Sequence, residues 1–275
     1  MAQVTSSMPV AVRLSLSGLI ALLGGLLLLA PRPGPVRAAE VPVVAAAADL
    51  QFALAEVAEA FSRATSFRVR LALGSSGNFT RQIIQGAPIE VFFSADEGYV
   101  RELAERSLTA DNGRIYAIGR LVLYAPTGSP VQADPDMDDL AAAVADGRLR
   151  KLAIANPDHA PYGRAARAAL TRKGLWEKLQ GRLVFGENIS QAAQFALSGT
   201  VEAGVIAQSL AISDRMARAG TFAVLHPSLY PPLRQKMVLL RGAGQTARRF
   251  YEYVQSEPAR AAFERYGFAL PTKAD

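Results

Sequence analysis

The run Leu73-Gly74-Ser75-Ser76-Gly77-Asn78 gathers the groups best suited to hold a small anion. It lies between a strand pattern and a helix pattern, so its amides stand at a helix N-terminus. The first N–H groups of a helix have no partner inside it, and its dipole favours negative charge. Serine hydroxyls add further donors. The same stretch also reads as an ordinary connection with Ser76 as the helix cap. Three more strand-to-helix junctions share this character: Ala48-Asp49-Leu50, Pro161-Tyr162-Gly163 and Glu187-Asn188-Ile189-Ser190. Each alone reads as a cap, with Gly163 permitting close backbone approach. Together they would set several donors at the carboxyl ends of strands, where α/β folds bind ligands.

Covalent chemistry has less support. Ser76 as the nucleophile of a hydrolase lacks a G-x-S-x-G elbow, an S-x-x-K motif and a suitable histidine. The chain has no cysteine and two histidines, His159 and His226. That removes disulfides, thiolate metal sites, cysteine nucleophiles and a lipid-bearing cysteine, and it leaves no histidine-rich metal site. The expectation is a binding protein with no catalytic residues and no cofactor.

The elements that must position these junctions follow from apolar spacing. A strand at 41–47, a helix over 50–63, a strand at 68–73, a helix over 78–85, a strand at 91–94 and a helix over 99–105 give a β-α-β-α-β order. That order predicts parallel pairing with right-handed crossovers. The apolar run 115–124 is longer and broken by Gly119-Arg120. A second α/β set follows, with strands at 151–155, 183–185, 203–207 and 222–225. Its helices fall near 140–145, 163–173, 190–198 and 209–217. A strand at 236–240 and helices over 248–255 and 259–266 close the chain. The simplest architecture is two lobes joined by crossing segments, with a cleft between them. Lobe I takes 39–117 plus 237–275, lobe II takes 118–236, and hinges fall near 118–124 and 227–237.

Residues 1–38 look like a cleavable secretory leader: no acid, Arg13, an apolar run over 14–30, then Val36-Arg37-Ala38. An uncleaved anchor is the alternative, since the run is nearly long enough to span. Cleavage would leave 275 − 38 = 237 residues. The net charge of +6 would lose three arginines and no acid, 6 − 3, to about +3. That is too weak and dispersed for nucleic acid, though it would favour approach of an anion. Export without disulfides suits a periplasmic protein.

Several blocks together carry a family likeness: Val44-Ala45-Ala46-Ala47-Ala48-Asp49-Leu50, Gly74-Ser75-Ser76-Gly77-Asn78, Arg81-Gln82-Ile83-Ile84-Gln85-Gly86-Ala87-Pro88, Phe93-Ser94-Ala95-Asp96-Glu97, Asn156-Pro157-Asp158-His159-Ala160-Pro161-Tyr162-Gly163 and Arg265-Tyr266-Gly267-Phe268. On these the chain resembles the periplasmic molybdate-binding proteins of ABC transporters over 41–268. The resemblance implies the two-lobed class II binding-protein fold and a dehydrated tetrahedral dianion, molybdate or tungstate, held by hydroxyls and amides. It also implies a membrane-embedded permease as partner; the carrier is expected to be a monomer. By position, Ser76 matches a ligand-binding serine. Tyr162 and Ile189 match positions whose backbone N–H groups contact the anion.

Two departures stand out. Ala207 replaces a frequent ligand tyrosine, and Asp49 replaces a ligand serine. An ionised carboxylate accepts hydrogen bonds and donates none, and it would repel a dianion. Asp49 therefore caps its helix and faces away, or stays protonated, or meets an anion that carries its own proton, such as hydrogen phosphate. Arg120 and Arg164 are candidate cations to offset it. His159, in a Pro-Asp turn, reads as structural.

Overall fold

The computed structural model describes residues 41–272, together with Ala2. The expected leader at 1–38 thus lies outside the described residues, Ala2 apart. Ten strands form two five-stranded sheets: β1 Val43–Ala47, β2 Arg70–Gly74, β3 Val91–Ser94, β4 Arg114–Gly119, β5 Leu121–Pro126, β6 Leu152–Ala155, β7 Leu183–Gly186, β8 Ala203–Ala207, β9 Gly220–Val224 and β10 Leu233–Leu239. The first sheet runs β2-β1-β3-β10-β4 and the second β7-β6-β8-β5-β9.

Helices follow the strands as their spacing demands. They are α1 Ala53–Thr65, α2 Ser76–Ile84, α3 Glu97–Glu105, α4 Asp138–Ala145, α5 Pro161–Arg172, α6 Ile189–Leu197, α7 Gln208–Ala211, α8 Asp214–Ala219, α9 Gln245–Tyr253 and α10 Glu257–Arg265. In α1 the buried residues Ala53, Leu54, Val57 and Phe61 fall on one face, the stripe that an amphipathic helix turns toward a core. It ends at Ser66 in the left-handed region, φ 62°. Phe61 then meets Phe250 edge-on at 5.2 Å, tying α1 to α9. The single helix expected over 209–217 is two, because Ser213 starts α8 afresh as an extended N-cap.

The sheets are mixed, and the β-α-β runs pair in parallel as their order predicts. Strands β1, β2 and β3 pair in parallel, as do β6, β7 and β8. The strand that enters each sheet from the other half is antiparallel to both its neighbours: β10 between β3 and β4, and β5 between β8 and β9. The chain leaves the first sheet at Arg120 and returns through 225–232. Residues 118–119 and 233–236, assigned from sequence to the second lobe, therefore pair within the first sheet.

One core packs around the second sheet from Leu121, Leu123, Ile154, Val205 and Ile206. Two more flank the first, one built on Leu54, Phe61, Phe93 and Phe250, the other on Phe79, Phe92, Leu103 and Val238. Ala47, Ala48 and Ala95 of the first half pack into the core of the second. The small side chains of the Val44–Ala48 run let the halves approach at the strand ends, where the polar residues stand.

Candidate functional site

Asp49, Ser76, Tyr162 and Ile189 are all buried, with relative exposures of 1%, 0%, 2% and 4%. Asp49 sits in a 3-10 turn, Ala48–Leu50, directly after β1. Ser76 opens α2 two residues after β2 ends, and Ala47 pairs with Gly74, so both turns leave one edge of the first sheet. Tyr162 lies in the first turn of α5, after Pro161 at its start. Ile189 is the first residue of α6, which Asn188 caps by accepting the Gln191 N–H at 3.0 Å. Ser76, Tyr162 and Ile189 thus each stand in the first turn of a helix, where N–H groups without a partner favour an anion; in α2 the Gly77 N–H already has one, the His159 carbonyl.

Ser76 does not cap its helix; the N-cap is Ser75, in extended conformation. The Ser76 hydroxyl accepts the Ala95 N–H at 3.0 Å, which leaves its own O–H to donate. Thr80 Oγ1 donates back to the Ser76 carbonyl at 2.9 Å and steadies the turn. No histidine activates Ser76, because His159 Nδ1 meets Ser75 Oγ instead, at 3.0 Å.

Asp49 is not an N-cap either; the residue preceding α1 is Phe52. Its carboxylate points into the protein, where Gln235 Nε2 donates to Oδ2 at 2.5 Å. The same Nε2 lies 3.2 Å from the Tyr162 hydroxyl, and Tyr116 donates to Gln235 Oε1 at 2.6 Å. Oδ1 of Asp49 is buried with no hydrogen-bond partner. Burial pushes the Asp49 carboxyl up to about 6, although Gln235, the nearby Tyr162 hydroxyl and the backbone amides of Asp49 and Leu50 favour its charged form. The phenols of Tyr116 and Tyr162 are pushed well above their ordinary value, by burial first and then by Asp49.

Gly119 is required by this cluster. A Cβ there would strike the Tyr162 hydroxyl and come within 2.8 Å of Gln235 Nε2. Gly163 plays a similar part at α5, since a Cβ there would run into the Ala155 carbonyl.

The two halves are joined around the site by polar contacts. Ser209 Oγ donates to the Asp49 carbonyl at 2.7 Å, and Ser190 Oγ lies 3.0 Å from the Ala48 carbonyl. Gly77 N–H donates to the His159 carbonyl at 2.9 Å. Asn78 donates across to Oε1 of Glu187, whose other oxygen lies 3.5 Å from His159 Nε2 within the second half. His159, expected to be structural, is a main contact between the halves.

The candidate cations do not reach Asp49 as expected. Arg120 is exposed. Arg164 donates to Asp96 Oδ2 at 2.5 Å and to the Tyr99 hydroxyl at 2.7 Å, and its guanidinium stacks over the Tyr99 ring. Burial opposes its charge, but those two bonds outweigh it and raise its pKa. Ala207 ends β8 and offers no hydroxyl at its position. Gln235, Tyr116 and Ser209 escaped the sequence reading. A lone glutamine between Arg234 and Lys236 carries no periodic signal.

A small depression of about 100 Å³ beside the Ala48–Leu50 turn is lined by Gln51, Phe52 and Ser190. One groove of about 750 Å³ is lined by Arg164, Arg167, Arg172 and Tyr230, on the outer face of α5. The buried polar cluster, with its converging donors and unpaired carboxylate oxygen, is the better candidate site.

Residues 42–269 match the model of the family described as bacterial extracellular solute-binding protein. The molybdate-binding protein ModA of Rhodobacter capsulatus is 35% identical over 237 residues, covering 85% of this chain and 90% of that one. ModA of Azotobacter vinelandii is 35% identical over 260 residues, covering 93% and 98%. Among solved structures, the Azotobacter vinelandii periplasmic molybdate-binding protein superposes with a TM-score of 0.76 at 30% identity, covering 84% of this chain and 100% of that one. This chain belongs to the bacterial extracellular solute-binding protein family.

Proposed function

We propose that the protein captures a tetrahedral oxyanion, molybdate first and tungstate as its near equal in size and charge, between its two halves. It then delivers the anion to the permease of an ABC transporter. It works in the periplasm as a monomer, after loss of the leader at 1–38, and turns over no substrate. The observation that supports this reading is that Ser76, Tyr162 and Ile189 are all buried in the first turns of α2, α5 and α6, and that polar contacts join these turns and the Asp49 turn across the two halves. Neutral N–H and O–H donors there can replace the water around an anion without supplying counter-charge. The molybdate-binding relatives at 35% identity support the choice of anion.

Thermal unfolding with molybdate, tungstate, sulfate and phosphate tests it. An anion at a hundred times its Kd adds about 2.7 kcal/mol of stability. For a domain of this size that is roughly 5–10 °C in Tm. A Tm unmoved by saturating molybdate and tungstate removes the assignment. The unpaired Oδ1 of Asp49 favours one other reading, an anion that brings its own proton, such as hydrogen phosphate. A Tm shift with phosphate alone would favour it.

A further inference from the structure

The buried polar cluster contains a carboxylate that a dianion carrier should avoid. Asp49 is 1% exposed, and its Oδ1 meets no hydrogen-bond partner. No cation offsets it: the groups that favour its charge are Gln235, Tyr162 and the amides of Asp49 and Leu50. The elements packed on it bring Tyr116 from β4, Tyr162 from α5, Gln235 from β10 and the Ser209 hydroxyl from α7. The tyrosines are neutral phenols and the other two do not titrate. A second buried negative charge placed here would face no compensating charge, which proteins avoid by protonating the acid.

The network also favours one oxygen for that proton. Tyr116 donates to Gln235 Oε1, so the amide is turned with Nε2 toward Asp49. Nε2 donates to Oδ2, and an oxygen that accepts from an amide N–H cannot point an O–H back at it. Oδ1 is left as the protonation site, and it is the atom without a partner.

We propose that Asp49 is a specificity-determining acid, which binds the oxyanion as the neutral carboxyl with Oδ1–H donating to an anion oxygen, so that capture of a dianion takes up one proton. Gln235 is its positioning residue. The inference rests on the oxyanion-carrier reading above. The proton comes from solvent and stays on Asp49; no bond of the anion breaks. A neutral Asp49 selects anions whose oxygens are all acceptors, such as molybdate, tungstate and sulfate. An ionised Asp49 would select singly protonated ones.

Titration calorimetry with sodium molybdate, between pH 6 and 8 in buffers of different ionisation enthalpy, counts the protons directly. The expected result is uptake approaching one proton per molybdate at the upper end, with Kd weakening about tenfold per pH unit there. Asp49→Asn keeps an N–H donor of the same shape and gives a flat Kd with no uptake. Gln235→Leu removes the bond that favours the charged acid, so the pH at which affinity levels off moves upward; a structural defect would lower affinity equally at every pH. Molybdate binding with a pH-independent Kd and no proton uptake overturns the inference and leaves the carrier reading intact. Hydrogen phosphate binding in preference to molybdate overturns it too. Binding of none of these anions at any pH removes the carrier reading itself.

Discussion

The His159 carbonyl accepts the Gly77 N–H at 2.9 Å, joining the first turn of α2 in one half to the loop before α5 in the other. The approach is close because Gly77 has no side chain. A Cβ there would lie 2.6 Å from the Tyr99 hydroxyl and 2.7 Å from the His159 carbonyl oxygen. Gly77→Ala should therefore oppose closure more than folding. Overpacking of this kind costs about 1–3 kcal/mol, or roughly 5- to 150-fold in affinity for molybdate. Calorimetric titration measures the affinity, and urea unfolding of the anion-free protein should change little.

Ser76→Ala removes a hydroxyl with two tasks. The Ala95 N–H loses its acceptor, and the site loses a donor. A buried donor left unpaired costs about 1–3 kcal/mol of stability. Molybdate affinity should fall by a further one to two orders of magnitude, about 1.4–2.8 kcal/mol, whereas Ser76→Thr should retain part of it. Equal affinities for wild type and Ser76→Ala would show that the hydroxyl does not touch the anion.

Stability should depend on pH through Asp49. Its folded value, about 6, lies above the ordinary 3.8, so the folded state holds the proton more tightly than the unfolded chain. Stability is then highest below pH 4 and is lost as pH rises toward 6, by about 3 kcal/mol at 1.36 kcal/mol per unit. Urea unfolding of wild type against Asp49→Asn, at intervals from pH 4 to 7, isolates this contribution from that of other acids. The wild type should lose ground to the variant across that window and then run parallel to it. A difference that grows in wild type's favour has the wrong sign.

Gly119→Ala should damage fold and binding together, because the new methyl group meets the Tyr162 hydroxyl and Gln235 Nε2 at once. We expect a stability loss of about 1–3 kcal/mol and weaker molybdate binding. Unfolding and titration of the same preparation check both.

The α/β order was legible in the sequence because apolar spacing distinguishes strand from helix. Strand direction was legible within the β-α-β runs and not for the antiparallel strands: a short apolar run such as Leu121–Pro126 carries no sign of which way it enters a sheet. The site was half visible. Ser76, Tyr162 and Ile189 stand at junctions whose composition announces a helix start. The partners of Asp49 come from distant elements, Tyr116 on β4 and Gln235 on β10, and each reads alone as an ordinary strand residue. His159 was read as structural, but its partners depend on how the two halves meet, which no local pattern encodes.

The place of β10 has a consequence for how the molecule assembles. All five strands of the second sheet lie between Leu121 and Val224, whereas β10 sits between β3 and β4 in the first. The earlier-made strands β3 and β4 therefore stay unjoined until residues 233–239 arrive, and the later-made sheet can finish before them. Closing that long loop is the slow kind of event in sheet formation. A chain cut before β10 would keep one finished half and leave the other with an open seam between β3 and β4, one strand away from the β1 that leads to Asp49.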